Sequence, residues 1–166
     1  MANSNLAKSN VKNWIKPGAD GANLQVDDFL SLRITHLGAL LLRASTRRYL
    51  LEYEVSLPEW RVLTMLVRHG ACTTRALRDA TEMDKGQMSR ALLALEKRKL
   101  VQRTQDDTHE LRHVLDITEK GLRLYRRIMP SARRAQAGLL RQLTVDERKT
   151  LDTVINKLKA GAEANG

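Results

Sequence analysis

The chain has 166 residues, 42% of them hydrophobic but only 4% aromatic, so its core must come from Leu, Val, Ile and Ala, a composition of helices rather than of a β-sandwich. A net charge of +10 points to a polyanionic partner, most simply nucleic acid. The single cysteine excludes an internal disulfide framework or a multi-thiolate metal site, and no apolar run approaches the roughly 20 residues of a membrane span, so a cytoplasmic protein is expected.

Residues 1–25 are polar and dotted with glycine, and read as a flexible arm anchored by Trp14 and Ile15. Order begins at VDDFLSLRITHLGALLLRASTRRYLLEY, where Leu30, Ile34, Leu37, Leu41, Ala44, Arg48 and Leu51 alternate at spacings of four and three. That seam predicts one amphipathic helix, capped by Asp27 or Asp28 and about 39 Å long. A helix of that length needs another helix or another subunit along its seam.

SLPEWRVLTMLVRHG predicts a helix with a Ser56–Glu59 capping box, Pro58 in the first turn, Gly70 as its stop, and Trp60, Leu63, Leu66 and Val67 as its buried stripe. TTRALRDATEM is a short helix led by Thr73, with Ala76, Leu77 and Ala80 inward. DKGQMSRALLALEKRKL follows, opened by an Asp84–Gln87 box, with Met88, Ala91, Leu92 and Leu95 inward. Two short strands come next, Leu100–Arg103 and His113–Ile117, joined by a hairpin of residues 106–110. Thr118 then caps a helix carrying Leu122, Tyr125, Ile128, Met129, Ala132, Leu139 and Leu140, which Pro130 should kink. A third box, Thr144 with Glu147, opens a last helix carrying Leu151, Val154, Ile155 and Leu158. The expected organisation is an arm (1–25), a dimerisation helix (26–55), a DNA-binding lobe (56–118), C-terminal dimerisation helices (119–160) and a frayed tail (161–166).

Helix, short helix, tight turn, second helix and two-stranded hairpin are the order of a winged helix-turn-helix, so the fold class is mainly α with a two-stranded β-wing. That order explains Gly86, which costs an isolated helix roughly 1 kcal/mol relative to alanine. The first turn of the second helix must enter the major groove. Gly86 and Ser89 let the backbone approach, while Lys85, Gln87 and Arg90 supply reach to base edges. Thr73, Thr74 and Arg75 open the preceding helix, where hydroxyls, amides and a cation can hold phosphate. Lys97, Arg98 and Lys99 lie too far along to read the same bases and are assigned to backbone or structural roles. The plain alternative is a solvated basic helix with no ligand.

The stretch LPEWRVLTMLVRHGACTTRALRDATEMDKGQMSRALLALEKRKLVQR, followed by ITEKG, resembles the MarR family of bacterial transcriptional regulators. Trp60-Arg61-Val62-Leu63, Gly70, Thr73, Leu77, Asp84-Lys85, Ser89-Arg90, Leu95-Glu96, Leu100-Val101, Arg103, and Thr118 with Gly121 carry the likeness over residues 57–121. The resemblance implies a homodimer with interleaved terminal helices and two winged lobes on a pseudo-palindromic operator in double-stranded DNA. It also implies a wing arginine in the minor groove. Here His109, Glu110 and Leu111 hold the corresponding positions and Arg112 comes one later, so the wing is expected to reach phosphate through Arg103 or Arg112.

Regulators of this family commonly answer to a small aromatic or phenolic acid, and the resemblance implies such an effector here. Arg33 and His36, three apart on a helix, with Trp60 and Arg61, offer a carboxylate fork and a ring-hydroxyl partner. Dimer salt bridges or simple exposure would explain the same pair. His109 and His113 read as loop and strand polarity rather than metal ligands, and Cys72 as a packed small residue rather than a redox sensor. No cofactor is expected and no enzyme motif is recognisable. The reading is therefore a ligand-relieved repressor. A ligand-independent architectural DNA binder, or an RNA-associated winged helix, would carry the same charge.

Overall fold

The computed structural model describes residues 11–106 and 109–164, without the side chains of residues 11, 12, 45, 48 and 106–113. In chain order it has α1 (Val11–Ile15), a 3-10 turn (Val26–Asp28), α2 (Leu30–Glu52), α3 (Leu57–His69), α4 (Thr74–Thr81), α5 (Lys85–Lys97), β1 (Val101–Asp106), β2 (His109–Ile117), α6 (Glu119–Leu140) and α7 (Val145–Ala164). The chain divides into two compact units, residues 1–44 and 45–166, with the boundary inside α2. Among the described residues no helix is long and apolar enough to cross a membrane.

In the first unit, hydrogen bonds converge on Asp28. Its carboxylate accepts from Asn13 Nδ2 at 3.0 Å and from the Gln25 amide at 3.2 Å, and its carbonyl accepts from Trp14 Nε1 at 2.8 Å. Asp28 therefore closes the 3-10 turn behind it and does not cap α2, contrary to expectation. Phe29, extended at ψ 120°, separates the two, so α2 starts at Leu30 and its 23 residues span about 35 Å. The anticipated seam remains uncovered: Leu30, Ile34, Leu37 and Leu41 are all exposed in the single chain.

In the second unit the end of α2 turns a different face inward. Thr46, Tyr49 and Leu50 are buried while Leu51, expected in the seam, is 70% exposed. The cause is an aromatic cluster that periodicity alone does not reveal. Trp60 stacks on Tyr125 with centroids 5.4 Å apart and meets Tyr49 edge-on at 6.1 Å, above buried Ile128. Burial also raises the Tyr49 pKa, against a lowering hydrogen bond with Trp60.

The main core lies where α3, α4 and α5 pack on the wing. Val62, Leu63, Leu66, Leu77, Met88, Leu92, Leu95 and Leu115 are essentially inaccessible to solvent. Val62 takes the place expected for Val67, which is only half-buried. In α4, Ala76 and Ala80 are exposed, and Leu77 with Thr81 supply the inward face. The short helix touches the core along one line, so two small residues beside it stay in solvent.

The Ser56–Glu59 box closes in both directions, at 3.3 and 2.8 Å, and Gly70 stops α3 at φ 76°. The strands pair antiparallel from Val101↔Ile117 to Gln105↔His113, then shift register so that Asp106 faces His109. They are longer than expected, and His109 and Glu110 belong to β2 rather than to the hairpin turn. Cys72 adds one rung, its amide and carbonyl both bonded to Leu115 at 3.0 and 2.8 Å. Helix α6 continues through Pro130, and α7 opens with the Thr144–Glu147 box, closed at 2.7 and 3.3 Å. No described residue of α7 is buried, so Leu151, Val154, Ile155 and Leu158 form an uncovered apolar stripe.

Candidate nucleic-acid interface

Three residues, Glu82, Met83 and Asp84, join α4 to α5, with Glu82 in the left-handed region at φ 52° and Met83 buried as the pin of the turn. Asp84 caps α5 by accepting from the Gln87 amide at 2.8 Å. No return bond from the Gln87 side chain is present among the described residues, so the expected box is half-formed. That leaves the Gln87 amide group in solvent.

Buried Met88, Ala91, Leu92 and Leu95 fix the rotation of α5 about its own axis. With that face inward, Lys85, Gly86, Gln87, Ser89 and Arg90 are all exposed around the first two turns. Neither Lys85 nor Arg90 makes an ion pair among the described residues, so both cations are uncommitted. A β-carbon placed on Gly86 would meet only side-chain atoms, Asp84 Oδ1 at 3.2 Å and Arg90 Nη1 at 3.3 Å. The fold itself does not need glycine there. Gln87 and Arg90 also border a shallow hollow of about 360 Å³ shared with Ser56, Pro58 and Glu59.

At the start of α4, Thr73 Oγ1 accepts from the Ala76 amide at 3.2 Å, which leaves its hydroxyl proton to donate outward. Thr74 is half-buried, and Arg75 is exposed with a loose 3.9 Å approach to Asp79. Arg103 is less available: its Nε lies 2.6 Å from Glu96 Oε1. The Arg112 side chain lies outside the described residues, as do those of His109 and His113. The backbone puts Arg112 within the register shift of β2.

Arg98 has the structural role expected of it. Its guanidinium donates to the Glu54 carbonyl at 2.7 Å and lies 3.5 Å from Glu59, which is only 7% exposed. Lys99 adopts φ 58°, and the amides of Lys99 and Leu100 bond back to Glu96 and Leu95 to end α5. ITEKG then locks this end in place, a role that no sequence pattern announced. Thr118 donates to the Lys99 carbonyl at 2.8 Å while capping α6 at Gly121, and Lys120 Nζ donates to the Arg98 carbonyl at 2.8 Å. Gly121 is obligatory, because a β-carbon there would strike the Leu100 carbonyl oxygen and approach Ile117 to 2.8 Å.

Of the residues considered for an effector, Arg33 is half-buried under Trp14, its Cζ 4.2 Å from the ring centroid, and His36 is exposed on α2. Trp60 is a core residue, 8% exposed, with ring contacts on both Tyr49 and Tyr125; Arg61 beside it is half-buried. Arg33 and His36 belong to one compact unit, Trp60 and Arg61 to the other. Cys72 is half-buried, and burial together with the Asp116 carboxylate raises its pKa.

Residues 53–110, from the end of α2 to the wing, match the family model for the MarR family. The chain is a MarR-family winged-helix protein. Solved structures agree in fold. MarR itself superposes with a TM-score of 0.66 at 25% identity, covering 79% of this chain and 98% of that one. BpsR of Bordetella bronchiseptica, whose DNA binding is regulated by 6-hydroxynicotinic acid, gives 0.69 at 17% identity over 82% and 96%. NadR in complex with 4-hydroxyphenylacetate gives 0.67 at 18% identity over 81% and 95%. No curated protein matches the sequence at a significant level. As a MarR-family member the chain is a transcriptional regulator and not an enzyme.

Proposed function

We propose that this MarR-family regulator is a homodimer that binds a pseudo-palindromic operator in double-stranded DNA, represses by occlusion, and is released by a small aromatic or phenolic acid. The observation that carries the reading is the first two turns of α5. Their buried face is fixed by the core while Lys85, Gly86, Gln87, Ser89 and Arg90 project into solvent. Gln pairs with adenine, and Arg or Lys with guanine, each good pair giving roughly 1–3 kcal/mol of discrimination. Thr73, Thr74 and Arg75 hold phosphate beside the groove, and Arg112 extends the contact along the wing.

Dimerisation is supported by the uncovered leucine and isoleucine stripes of α2 and α7, which one chain leaves in water. Two lobes then meet successive major grooves about 34–36 Å apart. The effector class is supported by BpsR and NadR, whose ligands both pair an aromatic ring with a hydroxyl group and an acid. In this chain Arg33 is the acid anchor and His36 the hydroxyl partner, with Arg61 a second cation; Trp60 shapes the site from within the core. Hundredfold release requires the effector to favour the non-binding state by about 2.7 kcal/mol.

The test is competition at fixed salt between a duplex selected from a random pool and an unselected duplex. Strong preference for the selected duplex supports the reading. Equal binding would leave an architectural protein instead, and preference for an RNA duplex would discard it. For the effector, thermal stabilisation by hydroxylated aromatic acids should be lost in Arg33→Ala; equal shifts in the two proteins remove that anchor.

A further inference from the structure

A second cavity, of about 340 Å³, opens at the far end of α5 and is lined by Arg98, Leu100, Lys120, Arg123, Leu124 and Arg127. Four of its six lining residues are cations, the other two are leucines, and no carboxylate is among them. Such a composition is unusual for a groove between packed elements, because like charges one helical turn apart repel each other. Lys120, Arg123 and Arg127 recur on one side of α6 at spacings of three and four, facing the Arg98–Leu100 corner.

The cations differ in how firmly they are held. Arg98 is engaged with Glu54 and Glu59, and Lys120 spends one donor on the Arg98 carbonyl. Arg123 has only an exposed contact with Glu119 at 3.4 Å, and Arg127 lies over the Tyr53 ring at 5.6 Å. Both guanidiniums therefore keep donors for an incoming acid group, with a Lys120 donor beside them. The leucines give the remainder of a ligand a dry floor, and the volume falls within the ordinary range for small-molecule sites.

We propose that this cavity is a binding site for a small organic anion: an acid group on Arg123, Arg127 and Lys120, and an apolar body against Leu100 and Leu124. It is separate from Arg33 and His36 and does not rest on the effector reading given above. Duplex DNA is the less apt occupant. The reading turn at Lys85 lies 13 residues earlier in the sequence, about 20 Å along α5, and a phosphate backbone has no use for a leucine floor.

The probe is phenyl phosphate, which joins a ring to a dianion, compared with inorganic phosphate and with neutral benzyl alcohol. Calorimetric titrations of the full chain at constant ionic strength should rank phenyl phosphate above phosphate, with benzyl alcohol weakest. Arg123→Gln with Arg127→Gln should weaken phenyl phosphate at least tenfold, whereas Arg33→Ala should leave it unchanged. Both arginines are exposed, and Lys120→Gln gives an independent reading, expected to weaken binding several-fold. The proposal is overturned if phenyl phosphate does not bind, if benzyl alcohol binds as well, or if the double variant keeps wild-type affinity. Loss of binding in Arg33→Ala would overturn it too, by placing the ligand elsewhere.

Discussion

Gly86 and Gly121 are both helical glycines, and they are glycine for opposite reasons. Around Gly86 the chain has room, since only two mobile side chains approach; around Gly121 a backbone carbonyl occupies the space a β-carbon would need. Gly86→Ala should therefore leave the fold as stable, or more stable by up to about 1 kcal/mol, while weakening operator binding. Gly121→Ala should cost about 1–3 kcal/mol in urea unfolding, through overpacking against Leu100. The first of these was legible in the sequence as a poor helix start that asked for a reason. The second was visible only as part of ITEKG, because its cause is a carbonyl 21 residues away in the sequence. Cys72 makes a third case. With its thiol pKa raised by burial and by Asp116, it stays protonated at pH values where an exposed cysteine ionises, and alkylation by iodoacetamide at pH 8 should be slower than for a free thiol. A rate equal to that of the free thiol would contradict its packed position.

Among the elements, helix starts were the most legible features. Ser56, Thr73, Asp84, Thr118 and Thr144 all cap as expected, because a cap and its amide lie within three residues of each other. Faces of long helices were less legible. Tyr49 and Leu50 turn inward because Trp60 and Tyr125 wait for them, and that is a tertiary fact. Asp28 misled for a related reason: an aspartate before an apolar run looks like a cap even when its carboxylate points backwards. At α7 the Glu147 carboxylate accepts from the Thr144 amide and hydroxyl, which holds its pKa below the usual carboxylate value. A depressed pKa adds stability above the unfolded value of about 4.3 and forfeits it as pH falls through the lower folded value. Glu147→Gln should thus fray the start of α7 at pH 7, and the difference from wild type in amide exchange should close in strong acid. A difference that persists unchanged in acid would show that the carboxylate charge does not hold this end.

At the scale of the whole molecule, two apolar stripes and an excess of cations remain unexplained by one chain. The stripes call for a second copy. Leu37→Glu combined with Ile155→Glu should shift the protein towards monomer in sedimentation equilibrium and reduce operator affinity with it. Charge sets the other expectation: with roughly 6–10 phosphates neutralised per dimer, the log–log salt slope of binding should be about −5 to −9. Charge and motif order were enough to read a DNA-binding regulator from the sequence. The cavity beside α6 was not readable, since it needs Arg98 and Arg127 side by side from separate elements.

The most direct measurement is fluorescence anisotropy of the selected duplex and a random duplex with wild type and with Gln87→Ala/Arg90→Ala, at one salt concentration. If the first turns of α5 read bases, the double variant loses roughly 1–3 kcal/mol per removed contact on the selected duplex and retains most of its weak affinity for the random one. Undiminished preference for the selected duplex in the double variant would contradict the account.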